Sequence, residues 1–378
     1  MSLDQSAPTA EELEAAFAPG RPMSLGLEEE VMLLEPGTLD LAPVAREVLA
    51  AALPSAPLKL ELPASQVEIT VAPAATVEEA LADLTAGRHA LVEASSGLAR
   101  PACAGVHPFA AVDGVLNSGE RYERTLADYG PAARRQLVCA LQVHVAVGGP
   151  ERALAVYNAL RSYLPELAAL AANAPWHTGR DSGLASIRPK LAEALPRQGI
   201  PPMISSWEAF ADELRWGLAS ATVPEPRRWW WELRPHPSFG TLELRVPDSQ
   251  TTLRDAGAIA AVAHSLVGWL AGRHDAGEAL EVANSWRIGE NRWSALRWGV
   301  EGSLADLKTG HRRPTRDRLH HLLDELEPAA AELGCVEQLT AARALVERNG
   351  ASAQREVAAG DGARALAGWL AERFLDDA

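Results

Sequence analysis

The sequence predicts an α+β fold: a mainly antiparallel sheet with one polar, site-bearing face and helices packed on the other. Three observations carry this. Short runs of alternating apolar and polar residues recur at separated places along the chain, and segments of helical periodicity fill the gaps between them. The last two alternating runs flank a Pro-Ser-Phe-Gly turn, as in a hairpin with a longer loop. Strands that include hairpins and are covered by helices place the chain in the α+β class.

Taken in order, the first element is a short helix, "TAEELEAAFA", with Thr9 and Glu12 at capping-box spacing and a break at Pro19-Gly20. "LGLEEEVML" (25–33) follows as a strand. "LKLELP" (58–63) and "QVEITV" (66–71) alternate around a Pro-Ala-Ser turn, and "LQVHVAV" (141–147) alternates again. Between them, 76–99 and 151–174 have helical periodicity, as does most of the chain beyond Asp317. "WWWELRPHPSFGTLELRV" (229–246) is the hairpin. The apolar segment Ala256–Gly272 is short for a bilayer span of about 20 residues; with Thr252 and Asp255 at capping spacing before it, it reads as a core helix. One domain over 1–378 is expected: a helical segment over 1–20, a sheet-based core over 21–302 and a helical portion over 303–378.

Composition narrows the function. The chain is 47% hydrophobic and 22% charged, as in an ordinary globular protein. Its net charge of −15 argues against sequence-independent nucleic-acid binding, which needs lysines and arginines to neutralise phosphates. Cys103, Cys139 and Cys335 are far apart and form no CxxC pair, so neither a disulfide framework nor a cysteine zinc site is indicated. Asp4, Glu11, Glu12 and Glu14 occupy the N-terminus where a signal peptide would carry basic and apolar runs. A cytoplasmic protein acting on small molecules, with no nucleic-acid or membrane partner and with a homodimer as the prior for assembly, is the expectation.

The three successive glutamates of the first strand pose the central question, because an unpaired buried charge costs several kcal/mol, roughly. Strand side chains alternate, so Glu28 and Glu30 share one face while Leu27, Glu29, Val31 and Leu33 share the other. The same polar parity recurs in Glu68 and Thr70, in Gln142 and His144, in Arg234 and His236, and in Thr241, Glu243 and Arg245. Opposite parity is dominated by Leu, Val, Ile or Trp. A solvated sheet face usually mixes Lys, Thr and Ser, yet Lys59 is the only lysine in these segments. Carboxylates, imidazoles and guanidiniums together suit divalent cations and phosphate oxygens. No GxxxxGK[ST] loop, GxGxxG fingerprint or HExxH occurs. His320 and His321 sit in a charged helix and read as surface residues. "NAPWHTGRDSGLASIRPKLAEALP" (173–196) has the composition of a substrate-contacting loop, and "NRWSALRWGVEG" (291–302) places basic and aromatic groups on neighbouring helix faces.

These stretches, with "VEIT", "GVHPFA" and "ERYERTLADYG", resemble in order the carboxylate-amine ligases related to type 2 glutamate-cysteine ligases, of the glutamine-synthetase-like superfamily. The resemblance runs from about Leu25 to Arg313. It implies the glutamine-synthetase-like catalytic fold, ATP and Mg2+ or Mn2+ as cofactors, and amide formation between a carboxylate and an amine through an acyl phosphate. Glutamate and cysteine are the leading substrates. It further implies Glu28, Glu30, Glu68, His144 and Glu243 as metal or metal-nucleotide ligands, with Glu61 a weaker candidate. Arg188, Arg234 and Arg245 become the phosphate and carboxylate clamps, a task the guanidinium fork suits better than lysine, and Asn291, Arg292 and Arg297 become nucleotide contacts. The loop from Thr178 to Arg188 would set the acceptor pocket. Glu28→Gln is expected to abolish turnover and Glu29→Gln to be nearly silent. Two other classes compete: a metal-dependent amidohydrolase using His144 and His236, against which the arginines speak, and a noncatalytic nucleotide sensor, against which the full set of ionisable positions speaks.

Overall fold

A computed structural model gives the fold; it describes residues 7–376 apart from 19 and 21. The first helix, Ala10–Ala16, starts with the expected capping box of Thr9 and Glu12. Pro19, half of the expected break, lies outside the described residues.

The main sheet has seven strands: β1 (Leu25–Leu34), β2 (Leu58–Leu60), β3 (Gln66–Thr70), β4 (Arg100–Ala102), β5 (Leu141–Ala146), β6 (Leu233–His236) and β7 (Thr241–Leu244). Their order is β2-β3-β1-β5-β7-β6, with β4 also paired to β1. Every pairing in it is antiparallel. The last two strands form the expected hairpin, with Gly240 at φ +63° at its turn.

Helices cover the apolar face. Leu27, Val31 and Leu33 of β1, Val67 and Ile69 of β3, and Val143 and Val145 of β5 are fully buried in one core cluster. The helix Val77–Ala94 packs on β1 and β3, starting from a Thr76 cap. Its Gly87 lets the backbone approach closely, since a Cβ there would lie 2.5 Å from Cγ2 of Ile69. The central helix Leu253–Asp275, capped by Thr252, packs on β5 and on the helices Val77–Ala94 and Pro150–Leu160. Helices Thr315–Glu332 and Val336–Glu347 close over its far side. Leu253–Asp275 is the one helix among the described residues long and apolar enough to cross a membrane, but 78% of its apolar window is buried inside the protein, as expected for a core helix.

The apolar face holds one group that the sequence pattern misjudges. Glu29 is fully buried and accepts two hydrogen bonds from Arg88, at 2.8 and 2.6 Å. Arg88 is itself 0% exposed and also donates to the carbonyls of Gln250, Thr251 and Phe374. Burial alone would lower the Arg88 pKa; the Glu29 charge more than reverses this, so the net direction is up. The parity is as expected, but Glu29 is not dispensable: it is half of an ion pair that ties β1 to a core helix and to the C-terminal end of the chain.

Candidate functional site

The polar face is set by register. Across β1 and β3, Glu30 stands opposite Glu68; across β1 and β5, Glu28 opposite Gln142; across β5 and β7, His144 opposite Glu243; across β7 and β6, Glu243 opposite Arg234. Directly paired side chains share a face, so four pairings in adjacent ladders line up the ionisable groups on one side of the sheet. Most of them line a cavity of about 770 Å³, with Glu28, Glu30, Glu61, Glu68, Arg188, Arg234 and Arg245 on its wall; His144 and Glu243 are buried and do not line it.

Two acidic groupings lie along this face of the sheet. In the first, single donor atoms of Glu28, His144 and Glu243 all lie within 4.8 Å of one another. His144 Nε2 is 3.7 Å from Glu28 Oε2 and 4.0 Å from Glu243 Oε2, while Nδ1 lies 3.0 Å from Thr241 Oγ1. That Nε2 is buried and has no hydrogen-bond partner among the described residues. Aimed between two carboxylates, with its other nitrogen occupied by a hydroxyl, it has the arrangement of a metal-ligating imidazole with its supporting contact. Burial raises the Glu28 pKa and His144 lowers it, for a net decrease. Glu243 is also pushed up by burial, but the guanidiniums of Arg234 and Arg245 overcome this and hold it far below the usual carboxylate range.

The second grouping is Glu30, Glu61 and Glu68. Burial, offset by Arg245 and the Ala140 N–H and reinforced by Glu68, pushes Glu30 up to about 7. Burial and then the charges of Glu68 and Glu30 push Glu61 well above its ordinary value, and burial with the Glu28 charge raises Glu68. Lys59 at 3.6 Å and the Thr70 hydroxyl at 2.8 Å are the close partners of Glu68. Three carboxylates that raise one another's pKa gain from a nearby cation, but among the described residues only Glu28, His144 and Glu243 bring three ligand atoms together. Glu61, only a weak candidate from its spacing, belongs to this group as fully as the others.

The arginines are positioned by carboxylates. Arg234 donates twice to Glu243, and Arg245 donates to Glu243 and Gln142. Arg188 donates to Asp248 at 2.6 Å and to the carbonyls of Arg245 and Val246. Asp248 also takes bonds from Ser186 and from the backbone N–H of Asn173, so it is a positioning residue that no motif spacing marked. His236 stacks on Phe239, centroids 4.2 Å apart, and burial pushes its pKa down to about 4.

Three expected nucleotide contacts lie elsewhere. Asn291 bonds the backbone of Ala305 in both directions, Arg292 is bound to Glu232 and Glu193, and Arg297 donates to Gly183 O and stacks on Trp298 at 3.9 Å. None of the three lines the cavity. The reason is that these polar side chains are taken up by cross-links within the protein; Arg292 reaches the site only through Glu232, which does line it. Thr178–Ile187 also stays off the wall, which takes only Arg188 and residues after it from that stretch. Part of the loop forms a hairpin, Trp176–His177 with Arg180–Asp181, held by Arg355 on Asp181. His320 pairs with Glu347 and His321 with Glu325, away from the cavity. Conversely, Arg121, Tyr122 and Arg228 line the cavity although the sequence pattern gave them no role.

The model of glutamate-cysteine ligase family 2 matches residues 24–366. The chain belongs to glutamate-cysteine ligase family 2. Family members are ATP-dependent carbon–nitrogen ligases. A Rubrobacter xylanophilus protein named "Putative glutamate--cysteine ligase 2-3" is 36% identical over 95% of this chain and 99% of its own length. A Thermobifida fusca protein named "Putative glutamate--cysteine ligase 2" is 35% identical over 90% of this chain and 87% of its own. Among solved structures, a glutamate–cysteine ligase from Francisella tularensis, in complex with AMP, superposes with a TM-score of 0.65 at 12% identity, covering 93% of this chain and 89% of that one. A bifunctional glutathione synthetase from Pasteurella multocida gives 0.59 at 14% identity, over 97% of this chain and 53% of that one. At such identities the likeness is one of fold.

Proposed function

We propose that this ligase activates a carboxylate with ATP as an acyl phosphate and lets an amine displace the phosphate, with glutamate and cysteine as the leading substrate pair. The observation that carries this is one cavity that brings Glu28, Glu30, Glu61 and Glu68 together with three fixed guanidiniums, in a chain of this family. Neither an amidohydrolase nor a sensor requires that combination.

A carboxylate and an amine do not condense readily in neutral water, because the leaving hydroxide is poor. A carboxylate oxygen attacks the γ-phosphorus and the bond to ADP breaks; the amine nitrogen then attacks the acyl carbon and the C–O bond to phosphate breaks. Both steps move negative charge between oxygens, so stabilisation is mainly positioning and electrostatics. Divalent cations, for which Glu28, His144 and Glu243 form a donor set with the carboxylates of Glu30, Glu61 and Glu68 beside it, would supply neutralisation of the phosphate oxygens when bound. Arg245 and Arg234 present donors already oriented by Glu243, and Asp248 holds the Arg188 fork in place, so little reorganisation accompanies reaction. The AMP in the Francisella tularensis ligase and the names of the closer relatives support the nucleotide and amide parts of the reading. The three free thiols are buried, which suits a reducing cytoplasm.

The test is ADP release by purified protein with ATP and magnesium, given no amino acid, glutamate alone, glutamate with cysteine, or a mixed pool of amino acids and amines. ADP only when a carboxylate and an amine are both present is expected. ATP binding without turnover in any mixture would favour the sensor, and no ATP binding the hydrolase.

A further inference from the structure

A second cavity, of about 530 Å³, adjoins the first. The two share Glu225 and Ser238 on their walls, so they meet at the turn of the β6–β7 hairpin. Arg234 and His236, from the same hairpin, line the main cavity at this end. The volume falls within the roughly 300–1,000 Å³ of small-molecule sites.

The wall of this chamber is apolar and firmly held. Leu214 and Leu218 of the helix Trp207–Ala219, with Val223 and Pro237, make up much of it. The N–H groups of Thr222 and Val223 both donate to Gly217 O, and a Cβ at Gly217 would lie 2.7 Å from Val223 Cβ, so this segment is pressed onto the helix end. Pro224 and Pro226 then fix the backbone on either side of Glu225. Across the chamber, a Cβ at Gly240 would collide with Ala16 O, so the hairpin turn sits directly on the end of the first helix.

The charge at the junction is negative. Among the described residues the wall of the chamber carries two carboxylates, Glu12 and Glu225, and no lysine or arginine. Glu12 is engaged by the N–H of Thr9 at 2.8 Å. Glu225 lies 3.8 Å from Arg228 Nε, beyond hydrogen-bond distance, while Arg228 donates to Asp128 at 2.5 Å. A carboxylate at the mouth of an apolar chamber, where that chamber meets the main cavity, suits an ammonium with a hydrocarbon tail.

We infer that this chamber receives the hydrocarbon group of the amine substrate, with Glu225 meeting its ammonium at the junction, so that primary amines carrying a sizeable apolar group are preferred to cysteine as acceptors. This rests on the ligase reading and deepens it on the amine side. The CH2–SH group of cysteine would leave the chamber largely to water, whereas each methylene transferred into it should tighten binding about fourfold.

Calorimetric binding of ethylamine, butylamine, hexylamine and L-cysteine to the full chain, with magnesium, glutamate and a non-hydrolysable ATP analogue present, tests this. Affinity should rise along the amines until hexylamine binds roughly 100-fold tighter than ethylamine, and tighter than cysteine. Leu218→Trp, which fills the chamber from a half-buried position, should flatten that rise. Glu225→Gln should weaken every amine by a similar factor and leave the rise in place, and melting temperatures check that both variants fold. Affinities independent of chain length, a rise that survives Leu218→Trp, or cysteine binding as tightly as hexylamine would each overturn the inference. So would an effect of Leu218→Trp on ATP affinity alone, which would give the chamber to the nucleotide. A rise that depends on Leu218, with no ADP released from any of these amines when ATP replaces the analogue, would count against the ligase reading alone.

Discussion

Glu29→Gln keeps the shape of the side chain and removes its charge, and the structure predicts a large loss of stability from it. Arg88 is 0% exposed, and Glu29 supplies two of its hydrogen bonds and its paired charge. The three carbonyls that remain can satisfy N–H groups but cannot neutralise a guanidinium. Removing one partner of a buried pair costs about 3–5 kcal/mol, because the other charge is left desolvated and uncompensated. Against a total stability of about 5–15 kcal/mol this is a large fraction. With an unfolding entropy near 2.1 cal/mol/K per residue, a chain of 378 residues should melt about 4–6 °C lower.

Thermal and urea unfolding, followed by circular dichroism, measure the effect, and a cycle with Arg88→Met isolates the pair. The double variant should lose less than the sum of the singles, yet should not recover fully, since three backbone carbonyls then lack their donor. A melting temperature within about 1 °C of wild type for Glu29→Gln would refute the argument that the pair is both buried and energetically coupled. Under conditions where the variant is folded, its KM for ATP should be that of wild type, because Glu29 faces away from the cavity.

Other substitutions should behave differently. Glu28→Gln should reduce ADP release by at least about 100-fold and lower the melting temperature modestly, because the carboxylate that His144 holds below its ordinary pKa is lost from the proposed donor set. Magnesium added to protein stripped with a chelator should raise the melting temperature in a concentration-dependent way, and His144→Ala should diminish that rise; a rise unaffected by His144→Ala would place the ion elsewhere. His107 gives a pH test remote from the cavity floor. It is 3% exposed, its Nδ1 accepts from the N–H of Ala110 at 2.8 Å and its Nε2 lies 2.8 Å from Leu39 O, an arrangement that burial makes neutral, with a pKa pushed down to about 4. The unfolded chain therefore takes up this proton first, so the stabilisation present above about pH 6.5 is lost as the pH falls toward 4. Urea midpoints of wild type should fall more steeply over that window than those of His107→Gln; parallel curves would refute it.

Much of this site was legible because a strand converts sequence parity into spatial sidedness. Glu28, Glu30, Glu68, His144, Arg234 and Glu243 lie in alternating runs, and antiparallel pairing brought their polar positions opposite one another. Asn291, Arg292 and Arg297 lie off the cavity for the complementary reason. On a helix, basic and aromatic residues at close spacing look alike whether they reach a ligand or brace the protein. Arg292 is consumed by Glu232, sixty residues away, a contact that no local pattern encodes. Asp248 was invisible in the same way, since its partners Ser186, Arg188 and Asn173 are brought together only by the fold.

The three adjacent glutamates of β1 show how one strand can carry two opposite solutions to the cost of a buried charge. Glu29 meets that cost inside the protein with a fixed guanidinium, and its energy is spent on folding. Glu30, by contrast, has no ion-pair partner among the described residues: Ala140 N–H and Gln142 are its hydrogen-bond donors, and Glu68 stands across from it. Burial and like charge raise its pKa, which means that the empty-handed site resists being ionised and gains free energy from any cation that lets it be so. The charge of Glu29 is therefore neutralised when the chain folds, and that of Glu30 only when a ligand arrives. A carboxylate left under-compensated in this manner costs stability that the Glu29–Arg88 pair does not restore, so Glu30→Gln should trade activity for stability while variants of the pair should lose stability alone.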